Sequence, residues 1–153
     1  MCAPMIERTF AIVKPNAVRS ALVGEILRRY ETARLRIVGA KLLHASRAKV
    51  AGFYAEHEGR PFFDGLCSFM SSGPILVLAL EGENAIADVR ALNGATDPAK
   101  AAPGTIRHAF GPTMGSNVVH SSDSPESAAR EISYWFAPDE LFAYVQKTSV
   151  ADE

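Results

Sequence analysis

His120 stands in the segment Asn117-Val118-Val119-His120-Ser121-Ser122-Asp123-Ser124-Pro125-Glu126. Two valines lead up to the imidazole as a strand would, and a Ser/Asp cluster follows it. Ser124-Pro125-Glu126 reads as a helix start: an N-cap residue, proline at the first helical position and a carboxylate in the first turn. A helix N-terminus favours anions, so a histidine at such a corner is suited to phosphate. Histidine can also be a nucleophile that carries a group covalently. The same segment equally suits an ordinary polar corner whose histidine satisfies a turn.

A phosphoryl site needs local positive charge and fork-like donors beside its nucleophile. The candidate cations are Lys14 at the end of a strand, Arg90 in a helix and Arg107 in a long loop. Lys14, just before a proline-forced turn, could reach over a sheet edge to a ligand or simply end a solvated strand. Glu131 shares a helix face with Ala128 and Trp135 and so tends inward, where a carboxylate needs a partner. Ser122 or His120 could supply one, giving the ring-orienting arrangement found in catalytic triads. The other reading is a carboxylate at the helix rim that reaches solvent. Phe62 and Phe63 are adjacent and cannot both face one helical stripe, so Phe62 is either core or an exposed platform for a base. Tyr54 and His57 share one face, a cleft wall or a plain helix surface. No GxxxxGK[ST] motif or kinase glycine-rich loop occurs, so phosphate handling must use another design.

These groups are carried on elements whose order is legible. Residues 9–14 are β-rich and stop at Pro15, predicting a first strand. Leu22, Val23, Ile26, Leu27 and Tyr30 recur with helical period, predicting a helix over residues 21–34. A second strand follows over 37–43, then helices over 47–57 and 63–70. Residues 74–80 form a continuous apolar run, the mark of a buried central strand. Asn84 is expected to cap the next helix. The segment from Gly94 to Ser116 carries four glycines and three prolines and reads as a long packed loop with a functional or interface role. A short strand at Val118-Val119 and a helix over about 125–136 close the order. Strands separated by helices, with apolar strands in the middle, predict an α/β (α+β) sandwich. The arrangement expected is ferredoxin-like βαββαβ, a four-stranded antiparallel sheet covered by helices.

Composition narrows the classes. The chain of 153 residues fits one domain, residues 1–153, with a flexible N-terminus over 1–6 and a C-terminal tail over 142–153. It is 48% hydrophobic and 22% charged with a net charge of −1, so no global basic field argues for nucleic acid. Cys2 and Cys67 are too few for a disulfide framework. His44, His57, His108 and His120 show no paired zinc spacing, so no structural metal is expected. No apolar run is long enough to span a bilayer, and the start lacks the order of a signal peptide, which makes the cytoplasm the expectation.

With these residues in hand, the chain resembles the nucleoside diphosphate kinases from Glu7 to about Leu141. The resemblance is carried by Glu7-Arg8-Thr9-Phe10, Lys14-Pro15-Asn16-Ala17-Val18, Phe53-Tyr54-Ala55-Glu56-His57, Arg60-Pro61-Phe62-Phe63 and Phe69-Met70-Ser71-Ser72-Gly73-Pro74. It continues through Leu80-Glu81-Gly82-Glu83-Asn84-Ala85, Gly94-Ala95-Thr96-Asp97-Pro98, Pro103-Gly104-Thr105-Ile106-Arg107 and the segment around His120. The resemblance implies ping-pong transfer: a γ-phosphate from a nucleoside triphosphate passes to His120 Nδ1 and then to a nucleoside diphosphate. It implies that Glu131 with Ser122 orients the ring. Lys14, Tyr54, Arg90, Thr96, Arg107 and Asn117 match positions that hold phosphates or the sugar hydroxyl, and Phe62 matches the base-stacking position. It further implies Mg²⁺ bridging the nucleotide phosphates without a protein cage, and a homo-oligomer, hexamer or tetramer, built partly through the long loop.

The chain departs from the family pattern in places. Ser121 stands where the family usually has glycine. If that position requires a positive φ, serine is strained there by roughly 1–3 kcal/mol. His108-Ala109 and Gly115-Ser116 also differ from the common residues. Ser121 motivates an alternative: a catalytically weak paralogue acting as an oligomeric nucleotide-binding or regulatory module. A ferredoxin-like nucleic-acid binder is disfavoured by the net charge and the lack of a basic stripe.

Overall fold

Strand alternation decides the architecture. In the first strand, β1 (Glu7–Val13), Phe10 and Ile12 lie on one face and Ala11 and Val13 on the other, all fully buried. A strand apolar on both faces must sit between two layers. The structure, a computed structural model, describes residues 6–147 and residue 150. Cys2, residues 1–5 of the expected flexible N-terminus, and tail residues 148, 149 and 151–153 lie outside the described residues.

After β1 come α1 (Pro15–Arg19), α2 (Val23–Thr32), β2 (Arg36–Leu43), α3 (Arg47–Phe53), α4 (Phe63–Met70) and β3 (Ile75–Gly82). They are followed by α5 (Ala85–Asn93), α6 (Ile106–Phe110), β4 (Val119–Ser121) and α7 (Pro125–Trp135). The sheet has the order β2-β3-β1-β4, with every neighbouring pair antiparallel. This is the four-stranded ferredoxin-like sandwich expected from the sequence. Ile75, Val77 and Ala79 of β3 join Phe10 and Ile12 against Val50, Phe53, Met70, Ile132 and Trp135 from α3, α4 and α7. Leu76, Leu78 and Leu80 join Ala11 and Val13 against Ile26, Tyr30, Val89 and Ile106 from α2, α5 and α6. No helix among the described residues is long and apolar enough to cross a membrane.

Several expected boundaries move, each for a local reason. Pro15 does stop β1, but it then sits at the first position of α1 with Lys14 as N-cap. The helix expected over 21–34 narrows to α2, because Ala21 (φ 60°) and Arg34 (φ 69°) take left-handed conformations at its flanks. The helix expected over 47–57 ends at Phe53 and continues as a 3-10 turn, Ala55–His57. Asn84 occupies the N-cap of α5 but its side chain makes no capping bond; Glu7 from β1 accepts from the Ile86 N–H at 2.9 Å instead. The long loop contains α6, capped by Thr105 on the His108 N–H, and 3-10 turns at Pro98–Lys100 and Met114–Ser116. The last strand is displaced by one to two residues from Val118-Val119, so His120 lies within β4 rather than beyond it.

Candidate active site

β4 is an edge strand in which His120 pairs with Ile12 of β1. Alternation turns His120 and Ser122 to the face covered by α7. That helix is begun by Ser124, whose side-chain oxygen accepts from the Ser127 N–H at 3.1 Å. Two turns further on it presents Glu131, only 6% exposed. His120 Nε2 lies 2.8 Å from Glu131 Oε1, and the Ser122 hydroxyl donates to the same oxygen at 2.9 Å. The inward Glu131 is thus a partnered carboxylate, with Arg130 Nη2 at 3.6 Å from its other oxygen. A carboxylate oxygen accepts, so Nε2 carries the ring proton and Nδ1 keeps its lone pair. Phe53, Tyr54 and Phe10 meet the imidazole edge-to-face at centroid distances of 5.5, 6.0 and 6.1 Å and wall it in.

The backbone just before the histidine is strained. Val118 is buried with φ 64°, a left-handed conformation that costs a β-branched residue on the order of 1–3 kcal/mol. Three hydrogen bonds hold it there. The Lys14 N–H donates to the Val118 carbonyl at 2.8 Å, Arg107 Nη2 donates to the Val119 carbonyl at 2.8 Å, and the Val119 N–H turns back to Asn117 at 2.8 Å. The bend presents the Asn117 side chain to Lys14 Nζ, 2.7 Å from its Oδ1, while its amide donates to the Thr96 carbonyl at 2.8 Å. Ser121 has no such strain: among the described residues, the non-glycine positions with positive φ are Ala21, Arg34 and Val118.

A cleft of about 650 Å³ opens at the free edge of β4, lined by Lys14, Arg90, Thr96, Arg107, Asn117 and His120 among others. Six residues singled out in the sequence thus meet around one space. Lys14 is 8% exposed, and burial, with Arg107 beside it, lowers its amine to about 7. Arg107 also donates to the Gly94 carbonyl at 2.7 Å; burial lowers its pKa, Tyr30 opposes that and Arg90 adds to it. Arg107 is therefore a fixed cation and Lys14 a fixed amine whose charge an anion in the cleft favours, whereas Arg90 is exposed on α5. Lys100, in the turn after Thr96, also lines the cleft and was missed by the sequence reading. Its charge was the only signal, and the fold of the loop is what brings it in.

Ser122 and Glu131 lie behind the histidine, and Tyr54 and Phe62 are not part of the cleft lining. Tyr54 is buried against the imidazole, and burial, reinforced by Glu131 and Cys67, pushes its hydroxyl up. Phe62 is 52% exposed and connects to Tyr54 through His57, whose ring lies 5.3 Å from Phe62 and 6.2 Å from Tyr54. Phe62 is thus an exposed ring rather than core. The cleft lining contains no carboxylate, and among the described residues no cluster of His, Cys, Asp and Glu is arranged to hold a metal. A nucleophilic nitrogen beside a buried arginine, a buried amine ready to take a proton and two exposed cations suits an anion that concentrates charge on one phosphoryl group.

The comparisons agree with this chemistry. The sequence model of the family described as Nucleoside diphosphate kinase matches residues 7–141. The fold is similar to the Aquifex aeolicus nucleoside diphosphate kinase at 44% identity and a TM-score of 0.87, covering 90% of this chain and 99% of that one. A nucleoside diphosphate kinase family protein from Babesia bovis matches at 44% identity and a TM-score of 0.87, covering 92% of this chain and 95% of the other. A halophilic nucleoside diphosphate kinase from Halobacterium salinarum, in complex with CDP, matches at 44% identity and a TM-score of 0.90, covering 93% and 95%.

Proposed function

The chain belongs to the nucleoside diphosphate kinase family of phosphotransferases, and from that premise we propose that it works through a phosphohistidine on His120. One observation carries this reading: Nε2 is committed to Glu131, which leaves the Nδ1 lone pair as the ring's nucleophile beside a cation-lined cleft. In the first half-reaction Nδ1 forms a bond to the γ-phosphorus of a nucleoside triphosphate. The bond from that phosphorus to the bridging oxygen breaks, and its electron pair leaves with the diphosphate. In the second half-reaction a terminal phosphate oxygen of a different nucleoside diphosphate bonds to that phosphorus, the phosphorus–nitrogen bond breaks, and its electron pair returns to Nδ1.

Glu131 and Ser122 orient the ring and stabilise its positive charge once it is phosphorylated. Lys14, Arg90 and Arg107 neutralise phosphate charge, with Lys14 and Arg107 already held in place by Asn117, Gly94 and Val119. Asn117 and Thr96 complete the grip on phosphates and sugar from the cleft wall, and Tyr54 backs the imidazole from outside the lining. Phe62 offers its exposed ring to the base, and stacking tolerates every base, so broad nucleotide specificity follows. The cleft lining offers no carboxylate, so a Mg²⁺ ion would be carried by the nucleotide's own phosphates and would supply charge neutralisation there. Residues 1–153 act as one domain, in a cytoplasmic homo-oligomer of six or four copies.

Incubation with γ-labelled ATP should place acid-labile, alkali-stable label on the protein and pass it to added UDP or GDP. His120→Ala should take up none. Label retained in that variant would remove His120 from the mechanism. The weak-paralogue alternative rested on strain at Ser121, and the φ of that residue gives it no support. Light scattering on the eluting protein reads the number of copies directly.

A further inference from the structure

Ser121 stands directly after the candidate nucleophile, and its surroundings give its hydroxyl a role. The Ser122 N–H points inward to Phe10 of β1 at 3.0 Å, so the alternate residues Val119 and Ser121 direct their backbone groups outward, to the free edge. Arg107 occupies that edge at Val119. Side chains alternate too. His120 and Ser122 face α7, while Val119 packs with Val89 and Ile106 on the opposite face, which puts the Ser121 side chain on the side of α5 and Arg90.

Ser121 lines the same cleft as His120, is half-buried, and its hydroxyl has no hydrogen-bond partner among the described residues. His120 and Ser121 both open onto this cleft at the free edge of β4, so a group carried on Nδ1 shares the space that the hydroxyl lines. Arg107, tied to the Gly94 carbonyl at the end of α5, and Lys14, at the start of α1, already spend donors on protein partners, whereas the Ser121 hydroxyl is uncommitted.

We propose that the Ser121 hydroxyl is a substrate-contacting group, donating a hydrogen bond from the α5 side to the phosphoryl group in transfer. The inference rests on the phosphohistidine reading and deepens it. The hydroxyl keeps its proton throughout; the phosphorus–nitrogen bond forms and the bridging phosphorus–oxygen bond breaks as described above. A single donor aimed at a charged phosphoryl oxygen is worth about tenfold in rate at a half-exposed position.

The test is the single-turnover rate of label transfer from saturating γ-labelled ATP to Ser121→Ala, Ser121→Gly and Ser121→Thr. The alanine and glycine variants should both slow labelling about tenfold, with nucleotide affinity little changed, and threonine should stay within about twofold of the parent. Labelling of the alanine variant at the parent rate overturns the role of the hydroxyl. So does a glycine variant faster than alanine, which would make backbone freedom the controlling factor, or a threonine variant as slow as alanine. Matching thermal midpoints confirm that each variant is folded. The outcomes separate from those of the underlying reading: a parent protein that takes up no label refutes the phosphohistidine itself, whereas equal labelling of parent and alanine variant refutes only the contact.

Discussion

Two buried residues carry the sharpest expectations at the scale of single side chains. Glu131 Oε1 takes both the imidazole N–H and the Ser122 hydroxyl. Glu131→Gln leaves the shape but removes the charge that stabilises a phosphorylated ring, so labelling of His120 should fall about a hundredfold. Ser122→Ala deletes one of two bonds and should cost nearer tenfold; single-turnover labelling distinguishes them. Lys14 is different, because burial lowers its amine from 10.5 to about 7. Below about pH 7 the folded and unfolded chains are both charged, and the fold bears the whole cost of burying the ammonium. Between about 7 and 10.5 the unfolded chain holds more protons, so this residue makes stability rise with pH across that window. Lys14→Met should flatten the rise in denaturant titrations. An anion in the cleft favours the charged form, so nucleotide binding above about pH 7 should take up a proton, read by calorimetry in buffers of different ionisation enthalpy. Binding without proton uptake would contradict the burial of Lys14. His120, Glu131 and Lys14 were all visible as candidates in the sequence, but the sequence reading left both a functional and a plain reading for each. Alternation and helical period can say which face a residue occupies, not what lies opposite.

Elements place the site by holding a few backbone segments against their preference. Gly94 ends α5 at φ 87°, and a Cβ there would meet Thr105 Oγ1 at 2.5 Å. Its carbonyl anchors Arg107, which in turn anchors Val119. Gly94→Ala should therefore lower the thermal midpoint by several degrees, equivalent to about 1–3 kcal/mol, and weaken nucleotide binding as well. A midpoint unchanged within error would show that the loop relaxes around the methyl. The strands β1 and β3 were legible because their side chains are apolar on both faces, and α7 because Ser124, Pro125 and Glu126 mark its start. The start of β4 was misplaced for an equally physical reason. Val118 is β-branched and suits a strand, but the Lys14 N–H and the Arg107 guanidinium, both remote in sequence, hold it in a left-handed turn. Propensity describes the residue, whereas tertiary hydrogen bonds set the conformation.

Across the whole molecule, the net charge of −1 hides a local concentration of positive charge. Lys14, Arg90, Lys100 and Arg107 converge on one cleft from four separate segments. Association with nucleotides should thus fall as salt rises, although the protein as a whole repels anions weakly. Lys100→Glu should lower kcat/KM several-fold at low salt while leaving kcat near its parent value. A salt-independent kcat/KM would mean that the cleft field does not reach incoming nucleotide. Lys100 also marks the division between what sequence and structure decide. By itself the sequence determined the alternating strands, the amphipathic helices, the capped start of α7 and the ordered short motifs that mark the family, because each depends on neighbours a few residues apart. The tertiary structure alone decided that Nε2 and not Nδ1 of His120 is tied to a carboxylate, that Lys14 is buried against Arg107, and that Ser121 adopts its position without strain. Those outcomes depend on distances between groups up to 103 residues apart, which folding sets and no local pattern encodes.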